Sequence, residues 1–291
     1  MSATLATARP LAPVASGFAD DLVLPARQGP VARYFRETRL LIGRSLRTIP
    51  HVPERLSDVT IQPIMFTLLF LYVFGSAIKV PGMRYQDYLL PGLIGQGLAF
   101  GIIGAGVATA TDFSSGVVDR FRSLPVTRLS VISAQVIGQM LEQILGMTIV
   151  LSIGLALGWR PHLNPGSFLE LVGLIVLGLF AFTWFGVLMG MLVRSADAMQ
   201  GIGFAMVFPL SFLAGTFVPI EGMAAVPRAI GQWDPISAFV AAIRQVCQGT
   251  KSTGSWPLEH PVAGMIIWSA VIIGICAPLA LRRFKTTSAA R

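Results

Sequence analysis

Along this chain apolar residues gather into six long runs separated by short polar breaks. The runs are Val59–Ile78, Tyr88–Ala110, Leu129–Leu157, Phe168–Val193, Gly201–Val218 and Pro261–Leu281. Each is close to the ~20 residues a helix needs to cross a hydrocarbon core. The third is long enough to tilt or protrude. The second carries Gly92, Gly95, Gly97, Gly101, Gly104 and Gly106, which lets another helix approach its backbone closely.

Ahead of the first run, Val31–Ile49 reads as a two-faced helix. On a wheel, Val31, Tyr34, Phe35, Leu41, Ile42, Leu46 and Ile49 fall within about 140°, and Arg33, Arg36, Arg39, Arg44 and Arg47 within about another 140°, with Leu40 the one misfit. An arginine face opposite an aliphatic and aromatic face suits a helix lying on anionic lipid. A surface helix of a soluble subdomain is the competing reading, and the first run opening almost at once, at Val59 and Thr60, weighs against it. Residues 1–30, rich in Ala, Pro, Thr and Ser, contain no continuous apolar core of signal-peptide length and read as a disordered cytoplasmic tail. The expected organisation is then an interfacial helix over 31–57, a six-span domain over 58–284 and a second cytoplasmic tail over 285–291.

Two interruptions break the rhythm. The first is Asp112–Arg128, between the second and third runs. There Ser114 or Ser115 can cap a short helix, and Pro125 disfavours helical geometry at Leu124 and so ends it. Val117, Phe121 and Leu124 share one face while Asp119 and Arg122 point away. Such a helix, held at the membrane surface, can plug into a groove on another protein. The second interruption is Phe217–Pro235, too polar and Pro-rich to span and too apolar for a solvated loop. Ile236–Val246 then resumes a helical apolar pattern that is too short to cross. Irregular backbone at membrane depth must be buried in protein or line a wet cavity. The pattern predicts two short re-entrant or interfacial helices on the outer face, joined at Trp233–Pro235, with Trp233 suited to the interface. A merely surface-lying Ile236–Gly249 is the alternative.

Composition agrees with a membrane chain: 54% of residues are hydrophobic and 12% charged, against about 25% charged in soluble domains. A net charge of +8 could suggest nucleic acid, but the basic residues flank the apolar runs instead of pooling. They therefore read as topology signals and lipid contacts. With six spans, sixteen of the 22 Lys and Arg fall on the side of the termini. The other six, Lys79, Arg84, Arg160, Arg228, Arg244 and Lys251, fall opposite. The positive-inside rule then places both termini in the cytoplasm.

Candidate chemistry is sparse. Cys247 and Cys276 are too few for a disulfide framework and read as packing residues. His51, His162 and His260 sit near span ends or loops with no second ligand at a useful spacing. No metal site, catalytic triad or paired catalytic carboxylates stand out, so no catalytic residue is expected. A phosphate-binding loop needs Gly-x-x-x-x-Gly-Lys-Ser/Thr. Of Lys79, Lys251 and Lys285, only Lys251 precedes a serine, and Thr250 stands where glycine is required. ATP-driven transport would therefore need a motor on another polypeptide. Glu142 is the one carboxylate well inside an apolar run. Gln135 and Gln139 share its face, and Gln143 lies alongside. An ionisable group at that depth faces a bundle interior, a partner or a translocation path. Interhelical hydrogen bonding and contact with a substrate path both remain open for Gln135, Gln139 and Glu142.

Three features together resemble the membrane subunits of type-2 ABC exporters, in the bacterial drug-resistance branch typified by daunorubicin exporter permeases. They are the amphipathic Val31–Ile49, the Arg-Ser-Leu-Pro-Val-Thr-Arg stretch at Arg122–Arg128, and Gly215–Glu221 followed by Trp233–Ser237 and Ile243–Arg244. The resemblance implies an all-α polytopic fold with six transmembrane helices. An amphipathic elbow helix would precede them, and a short re-entrant extracellular helical hairpin would precede the last span. It implies a bacterial cell-membrane location, a second membrane subunit, identical or related, and a cytoplasmic ATPase subunit that carries the ATP and magnesium. Carried over, the ATPase-coupling residues would be Arg120, Phe121, Arg122, Ser123, Leu124, Pro125 and Arg128. The extracellular gate would involve Phe217, Pro219, Glu221, Trp233, Asp234 and Pro235. Ala224–Pro227 departs from the more Pro- or Trp-rich turn of many relatives, which bears on the gate's shape. The expected function is export of hydrophobic or amphipathic drug-like compounds. A lipid or glycan exporter of the same class is the alternative. From a different class, an ion-gradient-driven transporter is disfavoured by the single internal acid and the lack of a convincing repeat.

Overall fold

A computed structural model describes residues 64–115, 128–250 and 254–286, less Ser76, Lys79, Pro81 and His162, together with seven isolated positions between 29 and 61. Every regular element among the described residues is helical: α1 Ile64–Phe74, α2 Tyr85–Ser114, α3 Arg128–Ala156, α4 Pro165–Leu192, α5 Ala196–Leu213, a 3-10 turn Ile220–Gly222, α6 Ala225–Trp233, α7 Pro235–Gln248, α8 Trp256–Glu259 and α9 Pro261–Thr286. Five of them, α2 to α5 and α9, are long and apolar enough to cross a bilayer. Among the described residues the fold is all-helical, with several helices suited to a multi-pass membrane protein.

α1 lies within the first apolar run, and its second half, Leu69–Phe74, is π-helical. Phe66, Phe70 and Phe74 recur every four residues and stack along one face, with ring centroids 6.0 and 5.2 Å apart. Much of the rest of Val59–Ile78, and most of the arginine-rich helix expected over 31–57, lies outside the described residues. From that stretch the Tyr34 hydroxyl donates to Ser133 Oγ on α3 at 2.8 Å.

The five long helices depart from the expected spans by a few residues, and in α2, α4 and α5 local contacts say why. α2 continues past Ala110 to Ser114. Thr111 Oγ1 donates to the Val107 carbonyl at 2.9 Å and Ser114 Oγ to the Thr111 carbonyl at 3.1 Å, so these polar residues close the last turn of α2. α4 starts at Pro165 because the Asn164 side chain accepts the Ser167 N–H at 2.7 Å. α5 starts at Ala196, ahead of the expected Gly201, because Ser195 Oγ accepts the Ala198 N–H at 3.2 Å. It ends at Leu213, beyond which Gly215 turns the chain at φ +67°, a conformation that favours glycine.

Burial ranks the helices. In the most apolar windows of α2 and α4, 72% and 61% of residues are buried, against 22–28% in α3, α5 and α9. α2 and α4 therefore form the centre and the others the shell. Their seam rests on small residues, since a Cβ at Gly186 or Gly190 of α4 would land on the carbonyl oxygens of Ile102 or Gly106 of α2. α7 is too short to cross but is not a surface helix: ten of its fourteen residues are buried, packed against α2, α4 and α9.

Candidate functional site

Between α1, α2, α3 and α5 the bundle leaves a cavity of about 610 Å³. It exists partly because of how the α2 glycines divide. Side chains at Gly92, Gly95, Gly101 and Gly106 would run into the Thr216 backbone, Val240, Gln143 and Met199, so these four permit close packing. Gly97 and Gly104 face the cavity, and the nearest atom to a Cβ at either would be 4.0 Å away. At those two positions bare backbone leaves space that a side chain would fill.

One wall is polar. α3 contributes Gln139, Glu142 and Gln143, and α2 contributes Gln96. Gln143 Nε2 donates to the Gly101 carbonyl and to Thr183 Oγ1, both at 3.4 Å. Gln96 Nε2 and Gln143 Oε1 are buried without a hydrogen-bond partner among the described residues. The lining also holds an aromatic group in which Phe100 lies 6.4 Å from Phe66 and 5.7 Å from Phe204, centroid to centroid. Of the three path candidates, Gln139 and Glu142 line the cavity. Gln135 does not; its Nε2 donates to Thr109 Oγ1 on α2 at 3.2 Å, which makes it a packing contact.

At the other site, α6 and α7 form two short helices that meet at Asp234, where the sequence places the Trp233–Pro235 joint. The six gate candidates separate by burial. Phe217 is 1% exposed, and its ring stacks on Phe70 with centroids 3.8 Å apart. Glu221 and Trp233 are exposed, and Pro219 and Pro235 are half-buried. Asp234 is buried, and its Oδ1 accepts the Ile236 N–H at 3.1 Å, capping α7. Burial pushes the Asp234 carboxyl up to about 7, with the Ile236 N–H pulling it the other way. Because the folded value exceeds the unfolded one, this group's contribution to stability is full below about pH 4 and is lost as pH rises through about 7. Asp234→Asn is expected to remove that slope while keeping the cap. Thermal unfolding of the two proteins across this pH window checks it, and parallel pH profiles would contradict it.

The residue that holds the hairpin down was not a site candidate from sequence. Arg244, in the outer set of topological charges, is buried in α7. Its Nη2 donates to the carbonyls of Tyr88 at 3.0 Å, Gly215 at 2.7 Å and Thr216 at 3.2 Å, and its Nε to Tyr88 at 3.2 Å. The guanidinium lies 3.6 Å over the Tyr88 ring, whose hydroxyl donates to the Gly215 carbonyl at 2.6 Å. Nearby, Pro91 inside α2 has no N–H for the Asp87 carbonyl four residues back, and Gln248 Nε2 donates to it instead. Two signals pointed here: a lone arginine within an otherwise apolar face, and a proline inside a helical run.

Of the coupling candidates, Arg120, Phe121, Arg122, Ser123, Leu124 and Pro125 lie outside the described residues, and Arg128 is the first residue of α3. No group of three or more His, Cys, Asp or Glu side chains suited to a metal occurs among the described residues.

Comparison with known proteins matches residues 36–247 to the family model described as ABC-2 type transporter. The chain is 29% identical over 253 residues to a daunorubicin resistance ABC transporter permease protein of Streptomyces coeruleorubidus, covering 85% of this chain and 86% of that one. It is 28% identical over 272 residues to a doxorubicin resistance ABC transporter permease protein of Mycobacterium tuberculosis, covering 86% and 87%. An inner membrane transport permease of Escherichia coli is 25% identical over 215 residues, covering 70% and 55%.

Proposed function

Because this chain belongs to the ABC-2 type transporter family, we propose that it is the membrane-spanning subunit of a bacterial ATP-binding-cassette exporter of hydrophobic or amphipathic drug-like compounds. The observation that carries this reading is similarity over most of the chain to permeases named for daunorubicin and doxorubicin resistance. The cavity beside α2 supports it, because its mixed polar and aromatic walls suit amphipathic cargo.

In this reading α1 belongs to the first of six spans, both termini are cytoplasmic, and the arginine-rich helix over 31–57 lies on the inner leaflet. α6 and α7 form a re-entrant hairpin that caps the outer exit, with Phe217, Pro219, Glu221, Trp233, Asp234 and Pro235 at the gate. A second membrane subunit, a copy of this chain or a related one, pairs with it. Each docks an ATPase subunit through Arg120–Pro125 and Arg128. ATP and magnesium bind the ATPases, whose closure pushes the coupling loops and rocks the two bundles from inward-open to outward-open. The division of labour is physical: one chain offers a path through the bilayer and the other converts ATP binding into a displacement.

The test is to purify the tagged chain from its native membrane in mild detergent and identify what accompanies it. A stoichiometric nucleotide-binding ATPase is expected. Leu124→Asp buries a charge in the apolar docking face and should reduce the recovered ATPase by about tenfold or more, with membrane insertion unchanged. Recovery of the chain without an ATPase counts against ATP-driven export. Undiminished ATPase with Leu124→Asp counts against the coupling assignment.

A further inference from the structure

We infer that α6 is a lipid-binding helix, seated in the interface of the bilayer through Val226, Ala229, Ile230 and Trp233, with Trp256 of α8 at the same level. The inference rests on α5 and α9 being spans and is independent of what the protein transports.

The nine residues of α6 form an amphipathic helix turned inside out. Val226, Ala229, Ile230 and Trp233 fall within about 100° of one another on a wheel, and Arg228 and Gly231 fall on the opposite side. In a soluble protein the apolar stripe would face the core. Here Gly231 is the residue that is buried, so close to the Leu213 carbonyl that a Cβ would strike it. The stripe faces away from the bundle: Val226 is 71%, Ile230 46% and Trp233 59% exposed, and Ala229 is exposed between them. Three large apolar side chains in register on one exposed face call for an apolar surrounding.

Depth identifies that surrounding. Leu213, against which Gly231 packs, is the last residue of α5. At 18 residues α5 is barely as long as the hydrocarbon core is thick, so its last residue marks the edge of the core. One residue further along α6, the Gln232 carbonyl accepts from Ser255 Oγ at 2.6 Å. Ser255 immediately precedes α8, which leads through His260 into α9 at Pro261. The last turn of α6 is therefore tied to the ends of two spans. Trp233 and Trp256, the latter 47% exposed, are of the side-chain type enriched at that depth. The polar face agrees, since the exposed Arg228 folds back to donate to the Met223 carbonyl through Nε at 3.1 Å and Nη2 at 2.7 Å. A basic residue opposite an aliphatic and tryptophan face suits a helix that lies in the interface with its apolar side about 5–10 Å deep.

The experiment places the purified full chain, with its co-purifying subunits, in nanodiscs of phosphatidylcholine brominated at acyl carbons 6,7 or 11,12. Each protein is paired with its Trp233→Phe counterpart, so that the difference in emission reports Trp233 alone. The 6,7-dibromo lipid is expected to quench Trp233 at least about twofold more strongly than the 11,12-dibromo lipid, because the ring sits shallow. Ile230→Asp puts a carboxylate into the stripe and should lower the 6,7-dibromo quenching by about twofold or more. Ile230 is half exposed and outside the core, so this variant should unfold at the wild-type temperature. Stronger quenching by the deeper bromines would place α6 inside the hydrocarbon core and overturn the interfacial seat. Quenching by aqueous iodide and by neither lipid would place the stripe in water and overturn the inference. Protection from all three quenchers, with Val226→Cys crosslinking between copies, would assign the stripe to a second copy of this chain and overturn it too. Loss of the ATPase from the preparation leaves the quenching ratio readable, so failure of the exporter reading and failure of the lipid seat are distinguishable.

Discussion

Arg244→Met is expected to destabilise the protein by about 3–5 kcal/mol and to release the α6–α7 hairpin from α2. The arginine is held by the carbonyls of Tyr88, Gly215 and Thr216 and by the face of the Tyr88 ring. Methionine keeps much of the volume and supplies no donor, so the carbonyls of Tyr88 and Thr216 lose this donor in a dry site and that of Gly215 is left with the Tyr88 hydroxyl. Arg244→Lys should recover only part of the loss. An ammonium is a compact point charge and cannot reproduce the planar fork that meets the Tyr88 carbonyl through both Nε and Nη2. Thermal unfolding in detergent measures the stability, and protease access to the joint at Asp234 measures the release. An Arg244→Met protein that melts like the wild type, or a lysine variant that restores it fully, would show that the clamp contributes little.

Gly190→Leu is expected to have a comparable effect through a different cause. A Cβ at Gly190 would meet the Gly106 carbonyl oxygen and lie 2.8 Å from Thr109 Cβ, so α2 and α4 must separate. Overpacking of this kind costs about 1–3 kcal/mol before the rest of the leucine is accommodated. In a bilayer no hydrophobic effect between the helices compensates, because lipid tails solvate the exposed faces equally well. Gly104→Ala is the control. It lies on α2 too, but opens to the cavity with 4.0 Å of clearance, and should change stability by less than about 0.5 kcal/mol. Equal unfolding temperatures for the two variants would contradict the packing argument.

Both results concern glycines and an arginine that the sequence displayed without revealing their roles. The six glycines of α2 suggested close helix packing, and four of them serve it. Gly97 and Gly104 open onto the cavity, which Gly101 also lines, a difference set by which helix stands opposite. The seam glycines of α4, Gly186 and Gly190, stand one turn apart in a spacing typical of packed membrane helices, yet in a run this uniformly apolar nothing marked which face was inward. Likewise Gln135, Gln139 and Glu142 share a face of α3, but only the latter two reach the cavity. Their separation depends on Thr109 of the neighbouring α2.

What the sequence determined by itself was membrane residence, the order of the long helices and the break into two short helices meeting at Asp234. These are local properties: hydropathy adds up along a run, Asn164, Ser195 and Asp234 cap the helices that follow them, and Gly215 permits the turn after α5. Tertiary structure alone decided that α2 and α4 are central, that Arg244 is a buried clamp and not a topological charge, and that Glu142 borders an open volume. Each of these depends on pairing residues far apart in the chain, such as Tyr88 with Arg244 or Gly106 with Gly190. In a chain whose five long helices are apolar nearly all round, periodicity along them carries little information about such pairings, and the packing of backbones and orphaned carbonyls supplies it instead.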